Sequence, residues 1–599
     1  MQTLEIYTVL AGLYWRSYLR DTDISGPPIL VDMLHDNLEY VATALATAAS
    51  IRTATGRPLI GLTGPAGVMG TAAARPFDTE AMEDLARAFC VDHLIDVHAA
   101  ILATPKTGDW LDPLRAMATL GENGQRFTPE HTDLVTAFRD SDGFPVGRFV
   151  MDTTLRASLT PHLRYGDEYL KWVEYLGQAR DWAQGFFAHP FTIFAVGHSD
   201  YCPHGFLAEF GLSRGVSALL WTCRERSAFL VNGLEPGQTL VGACRSANAR
   251  AFADQKAHEI ATEAYPAGES SALARLVAEG NIIVARAGLM GRLSHLEDRI
   301  VDIRTQLFGG DPRPIVCLFA HTYSDVPCQD EALYRDHHEW LEATLAVAAE
   351  SEDFNLLVKV HPLDAHYDST GLTNSLTEAF ADRANIAFCR APIENEVIAR
   401  DCALGITVRG TPGFLMPALG LRMVLAGRSV FSDAGMAETP ETREQYLDLL
   451  RNVAQLPPLS ADEIDNAERF LAFHLLTGSP RHALVPLVRA DGRDSPFFAH
   501  AAELLRSWVP ENCDFTRDLA RLWSPVTGFQ GGPANIRIGG RLAAPQREDT
   551  TLQASAPESE EPESIAPEGD APKPGVIGWL ARKLATKPTE MVELYKSEP

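Results

Sequence analysis

The sequence predicts an α/β protein of two units, each a mostly parallel sheet with helices on both faces, meeting across a cleft. Short apolar runs alternate with helical patterns along most of the chain, which is the rhythm of β-α-β units. The alternation falls into two stretches separated by Gly309-Gly-Asp-Pro-Arg-Pro314, a cluster of chain breakers. A chain of 599 residues has room for two such units and more, at roughly 100–200 residues per domain.

In the first stretch, residues 58–63 read as a strand followed by glycines 61, 64, 67 and 70. A helical pattern over 78–89 and an apolar run at 94–97 complete one β-loop-α-β unit. Residues 191–196 form a second run, which leads into Gly197-His-Ser-Asp-Tyr201, a helical stretch to Gly215 and a strand at 216–221. Residues 270–307 are mostly helical in pattern. The second stretch opens with a strand at 314–320, a loop at 321–329 and a helix at 330–350, on which Leu333, His337, Leu341, Leu345 and Ala348 recur at helical spacing. A strand at 354–360 follows and stops at Pro362, because proline cannot extend a central ladder. Further on come a strand at 403–408, a turn at 409–413, a short helix and a strand at 421–425. The expected units are therefore 1–308 and 313–480, with a helical extension at 481–545 packed on the body. Residues 546–572 carry eight Asp/Glu against one Arg and almost no large apolar side chain, so they read as a disordered acidic linker. At 573–599 a tail follows in which Val576, Trp579, Leu580 and Leu584 share a helical face, with Arg582, Lys583 and Lys587 beside them. Gly575 to Lys587 thus suits an anionic membrane surface or an assembly partner.

Composition narrows the function. The chain is 46% hydrophobic and 22% charged, with 52 Lys+Arg against 79 Asp+Glu and a net charge of −27. Such a surface repels polyphosphate, so nucleic acid is not an expected partner. No run of about 18 apolar residues occurs, and Met1-Gln-Thr-Leu-Glu5 lacks the features of a secretory signal. The expected location is cytoplasmic, peripheral at the inner membrane if the tail engages it. Nine cysteines are scattered without Cys-x-x-Cys or Cys/His zinc spacing and read as reduced core thiols. Asp21-Thr-Asp23 and Asp140-Ser-Asp142 have the spacing of a metal-binding pair but follow no apolar strand, so no metal is expected. A phosphate-binding Gly-x-x-x-x-Gly-Lys-Ser/Thr loop is absent from the sequence.

Three segments carry candidate chemistry. Lys359-Val-His-Pro362 ends a strand, and alternation puts Lys359 and His361 on one face beyond the sheet, where α/β proteins bind ligands. An ammonium and an imidazole presented together suit a phosphate. In Val408-Arg-Gly-Thr-Pro-Gly413, Thr411 is expected to cap a helix that begins at Pro412. The amides of Gly413 and Phe414, with Arg409 nearby, would then form a phosphate seat. His198 follows the strand at 191–196 in the first unit and can serve as a general base toward a hydroxyl.

Taken together, these residues resemble bacterial surface-carbohydrate and capsule biosynthesis proteins of the GT-B glycosyltransferase type, whose fold is two Rossmann-like domains facing a cleft. Four pieces, in order, carry the resemblance. They are Gly143-Phe-Pro-Val-Gly147 with Met151-Asp-Thr-Thr-Leu-Arg156; His198-Ser-Asp-Tyr201 with Gly205 and Leu207; Phe319-Ala-His321, Asp325 and Trp340 leading to Lys359-Val-His-Pro362; and Thr407-Val-Arg-Gly-Thr-Pro-Gly413 continuing to Ala426-Gly427, Phe431 and Gly435. The pattern is also similar to capsule Kdo transferases and CDP-glycerol glycerophosphotransferases, which share the Lys-x-His-Pro strand end. The resemblance implies a metal-independent glycosyltransferase with no cofactor beyond its nucleotide-sugar co-substrate, CMP- or CDP-linked. The second domain would bind the donor through Lys359, His361, His321, Arg409, Gly410, Thr411 and Gly413. The first would bind a glycan or glycolipid acceptor, with His198 or Asp152 as base and His361 assisting the leaving group. Related proteins place Glu where this chain has Leu415, and many place Asp where it has Arg148. Two alternatives stay open: a CDP-glycerol-type phosphotransferase, and a non-catalytic scaffold for envelope polysaccharide assembly.

Overall fold

The apolar runs form two sheets, buried on both faces except at the exposed edge strand His93–Asp96. The computed structural model describes residues 3–19, 24–64, 78–106, 108–222, 227–261, 299–328, 331–474, 493, 495–506, 514–524, 528–529 and 535–538. The acidic linker, the amphipathic tail and the glycines 67 and 70 lie outside the described residues, as do Asp21, Asp23 and most of the 270–307 stretch.

The first sheet contains β1 (Ile29–Asp32), β2 (Leu59–Thr63), β3 (His93–Asp96), β4 (Ile193–Val196), β5 (Ala218–Thr222) and β6 (Ser227–Val231). The second contains β7 (Ile315–Phe319), β8 (Asn355–Lys359), β9 (Ile386–Cys389), β10 (Leu404–Thr407) and β11 (Met423–Leu425). A two-stranded ribbon, β12 (Trp523–Ser524) and β13 (Gly528–Phe529), precedes β14 (Ile536–Ile538). The first sheet has the order β14-β6-β5-β4-β1-β2-β3 and the second β11-β10-β7-β8-β9. All pairs of the second sheet are parallel, whereas β6 and β14 run antiparallel at one edge of the first. The expected class, two α/β units built on parallel sheets, is the one observed.

Period-two alternation sorts the side chains. In the first sheet Leu30, Leu62, Phe194 and Leu220 enter one core with the helix Val146–Ser158. Ile29, Val31, Leu59, Ile193 and Leu219 enter the other, against the helices Thr3–Leu19 and Leu38–Thr55. The second sheet divides likewise, Val316, Leu318, Leu356, Val358 and Ile406 on one face and Ile315, Cys317, Leu357 and Met423 on the other. Parallel strands need this double cover, and it explains their unbroken apolar character.

Several boundaries differ from expectation. The helix predicted from 330 begins at His337, because the Asp336 side chain accepts the Glu339 amide and caps it there. Residues 299–308 belong physically to the second unit: Ile303 and Phe308 share a core with β7 strand residues, and the Ile303 amide donates to Asp401 at 2.9 Å. The C-terminal extension returns to the first unit, where Phe497, Phe498 and Phe515 enter its core and β14 adds the last strand. A helix at Leu240–Ala261 ties the units together: Asn248 donates to the Val430 carbonyl at 2.7 Å, and Arg245 pairs with Glu331 and Asp433. Asp133 and Arg335 add a two-bond pair across the junction at 2.6 and 2.9 Å. No described helix is long and apolar enough to cross a membrane. Of the described cysteines, Cys90, Cys202, Cys317, Cys328, Cys389 and Cys402 are free thiols, four of them buried.

Candidate functional site

Each sheet reverses its strand order once. In the first the chain moves outward through β1, β2 and β3, then resumes on the other side with β4 and β5; in the second β7, β8 and β9 run one way and β10 and β11 the other. The loops leaving the strands on either side of such a reversal diverge, opening a crevice at the carboxyl ends. The crevices lie between β1 and β4 and between β7 and β10, and the residues that leave these strands meet at the junction of the units.

In the second unit His321 follows β7 and Arg409 follows β10. The Arg409 amide donates to His321 Nε2 at 3.3 Å, and its guanidinium donates to the Asp325 carbonyl at 3.2 Å. His321 stacks on His337 at 4.7 Å, and His337 Nε2 lies 3.0 Å from the same carbonyl. Lys359 ends β8, and His361 beyond it accepts the Leu363 amide on Nδ1 at 3.1 Å. Because a backbone amide can only donate, these bonds assign the tautomers: neutral His321 presents Nδ1–H and neutral His361 presents Nε2–H. Burial pushes His321 well below its usual range, and His337, Arg409 and His361 push it further. Burial lowers His361 as well, with Lys359 adding and Asp325 opposing. At neutral pH this edge therefore offers imidazole N–H donors beside the cations Lys359 and Arg409, a set matched to an anion.

From the first unit, the helix Val146–Ser158 brings Asp152 and Arg156 one turn apart to the same junction. Asp152 accepts the Cys328 amide at 2.9 Å. Burial raises its carboxyl to about 6 despite that bond and the cations Arg409 and Arg148. Arg156 is 4% exposed, lies over the rings of Tyr201 and Tyr367 at 5.6 and 4.1 Å, and leaves Nε and Nη1 without a hydrogen-bond partner. Tyr201 donates its hydroxyl to Asp325 at 2.6 Å. Burial alone would raise Asp325, but Arg156, the Tyr201 bond, Arg409 and His321 outweigh it and hold the carboxyl below its usual range. Tyr201 and Val326 have φ of 60° and 48°, the latter costly for a β-branched residue; such backbones persist where surroundings over-determine them, as at functional sites. Gly205 belongs to the same turn: a Cβ there would lie 2.0 Å from the Ser199 carbonyl, so only glycine lets the turn close.

His198, after β4, accepts the Asp200 amide on Nδ1 at 3.2 Å and is 18% exposed. Burial, His35 and His204 push it well below the usual histidine range. Beneath it lies a set that local sequence pattern does not reveal. Asp32 ends β1, and both its carboxylate oxygens lie 3.1 Å from His204 Nδ1. The rings of His35, His198 and His204 are mutually 5.4–5.7 Å apart. Among the described residues, no group of three His, Cys, Asp or Glu side chains is placed to hold a metal ion.

The 409–413 turn departs from expectation. Thr411 takes helical backbone angles itself (φ −44°, ψ −34°) and makes no capping bond. The Gly413 amide closes on the Gly410 carbonyl at 2.8 Å and the Phe414 amide on the Thr411 carbonyl at 3.3 Å, so neither points outward. Gly413 instead lets the chain approach Leu425 and Phe431, which a Cβ would meet at 2.8 Å. Gly410 does border the site, 3.5 Å from His321 Nε2 at its would-be Cβ. Leu415 packs on the apolar cluster of Phe414, Phe431 and Phe470, and Arg148 forms a buried pair with Glu209 while covering Phe149. Asp140 and Asp142 are bound to Arg180, and Asp142 also to Arg214. Of the expected residues, His321, His361, Lys359, Arg409, Gly410, Asp152 and His198 gather at the junction; Thr411 and Gly413 serve the turn beside it.

No protein-family model matches the chain, and no curated protein matches it. Solved structures with which it aligns include UDP-GlcNAc 2-epimerase from Neisseria meningitidis bound to UDP-GlcNAc (11% identity, 75% of this chain and 99% of that one, TM-score 0.23). Others are the spinosyn rhamnosyltransferase SpnG (13%, 75% and 96%, TM-score 0.22) and α,α-trehalose 6-phosphate synthase from Burkholderia multivorans (12%, 81% and 99%, TM-score 0.28). At these scores the likeness says nothing of substrate, and function has to be argued from the geometry of this chain.

Proposed function

We propose that the chain is a metal-independent glycosyltransferase of the GT-B type, moving a sugar from a nucleotide-linked donor to a surface glycan or glycoconjugate. One observation carries this reading: the N–H donors and cations at the strand ends of the second unit face buried carboxylates and histidines of the first, at the reversal points of both sheets. Lys359, the Nε2–H of His361, the Nδ1–H of His321 and Arg409 would hold the donor phosphate and stabilise charge as it leaves. Arg156 supplies one more buried cation, with two nitrogens lacking a protein partner. The acceptor's proton would pass to a base of the first unit. Contact between the units, through Tyr201–Asp325 and Asp152–Cys328, would keep water from the donor. Nucleotide release from CMP-, CDP-, UDP- and GDP-linked sugars tests the reading. The wild-type chain should release nucleotide from one class, and His361→Ala should lose at least about 100-fold of that rate with its fold intact. Equal rates would remove His361 from the mechanism, and phosphorus retained in the product would favour the phosphotransferase alternative.

A further inference from the structure

The base that this reading requires can be identified from hydrogen bonds and burial together. A base needs a lone pair where the hydroxyl arrives. His198 spends its Nδ1 lone pair on the Asp200 amide at 3.2 Å, whereas His35 Nδ1 meets both the Asn37 amide at 2.9 Å and Asp36 Oδ1 at 3.0 Å, so these contacts do not fix its tautomer. The neutral ring of His198 therefore carries its proton on Nε2 and donates there. His204 is the reverse. Its Nδ1 faces both oxygens of Asp32, an acceptor only, so Nδ1 bears the proton and Nε2, on the side of the ring away from Asp32, keeps its lone pair. That nitrogen is buried and has no hydrogen-bond partner, which is costly for a core histidine without a further role.

We propose that His204 is the catalytic base of the transfer, with Asp32 as the positioning residue that fixes its tautomer and stabilises its protonated form, and His198 as the donor that orients the acceptor oxygen. The proposal rests on the glycosyltransferase reading. In the step, the acceptor O–H bond breaks and its proton goes to His204 Nε2. The freed oxygen pair forms the bond to the sugar's anomeric carbon, and the carbon–oxygen bond to phosphate breaks with its electron pair staying on the departing nucleotide. Asp32, His35, Asp36 and His198 are the titratable groups around His204. Tyr201, stacked on His198 at 5.8 Å and bound to Asp325, lies between this set and the second unit, so the acceptor enters as that bond opens.

The test is the pH dependence of nucleotide release from the donor panel in wild type, His204→Gln, His198→Gln, Asp32→Asn and Asp32→Glu, with unfolding and nucleotide binding measured on each. His204→Gln should bind nucleotide as wild type does, lose about 100-fold or more of the rate and lose the limb that rises with pH. Asp32→Asn should move that limb to lower pH, and Asp32→Glu should restore part of the rate. His198→Gln should keep the limb. A His204→Gln variant with wild-type rate and limb, or a limb lost only on changing His198 or Asp152, overturns the proposal while leaving the transferase reading in place. A wild-type chain that neither binds nor turns over any nucleotide-linked sugar overturns both.

Discussion

His321 and His361 of the second unit and His204 of the first present the imidazole in opposite ways. In the second, His321 and His361 give their lone pairs to backbone amides and turn N–H groups outward beside Lys359 and Arg409. In the first, Asp32 holds the proton of His204 and leaves a lone pair free, with Asp152 as a further carboxylate at the junction. In the proposed reaction one edge receives negative charge and the other a proton. The difference comes from the partner that each imidazole meets: a backbone N–H at His321, His361 and His198, the strand-end carboxylate of Asp32 at His204.

The largest expected effect probes where the two edges join. Arg156 belongs to the first unit but faces Asp325 of the second from between Tyr201 and Tyr367. Arg156→Leu should lower stability in denaturant unfolding by up to about 3–5 kcal/mol, because Asp325 loses one of the charges that compensate it. A loss near zero would mean that the units are not coupled electrostatically there.

A second change sharpens the proton-handling side. Because burial holds Asp152 near 6 rather than the usual 3.8, its ionisation opposes folding. The favourable contribution is present below the unfolded value and is lost as pH rises through 6. Asp152→Asn should therefore stabilise the protein at pH 8 by up to about 3 kcal/mol, with the gain fading toward pH 4. Unfolding curves at pH 4, 6 and 8 check it. A gain independent of pH would place its origin elsewhere than in the carboxyl's charge.

The smallest effect separates strand-end side chains from the short helix on the anion side. Thr411→Ala should change stability by less than about 0.5 kcal/mol, since no capping bond is lost; a capping threonine would cost about 1–2 kcal/mol.

The sequence made most of the second unit legible and much of the first unit's site invisible. Lys359, His361, His321 and Arg409 each follow an apolar run long enough to read as a strand, so their position at a sheet edge could be argued from local pattern. Strand order is non-local, and nothing in the runs themselves says that β7 and β10 are neighbours or that the chain reverses there. Asp32 and His35 escaped because β1 is four residues long and follows Gly26-Pro27-Pro28, a stretch that reads as a turn. His204 escaped because its carboxylate lies 172 residues away. The Thr-Pro-Gly pattern misled for a local reason: Thr411 itself turned helical, so the amides it would have capped found carbonyls at Gly410 and Thr411. The strand β14 is three residues long and gains its place only by pairing with β6.

In the proposed reading, strand-end groups of the second unit hold a nucleoside phosphate. Unfolding in the presence of CMP, CDP, UDP and GDP, each run on wild type and His361→Ala, tests it most directly. One nucleotide should stabilise wild type by about 2.7 kcal/mol at about 100 times its dissociation constant and leave the variant far less affected. No stabilisation by any of the four, or equal stabilisation of both chains, would contradict the claim.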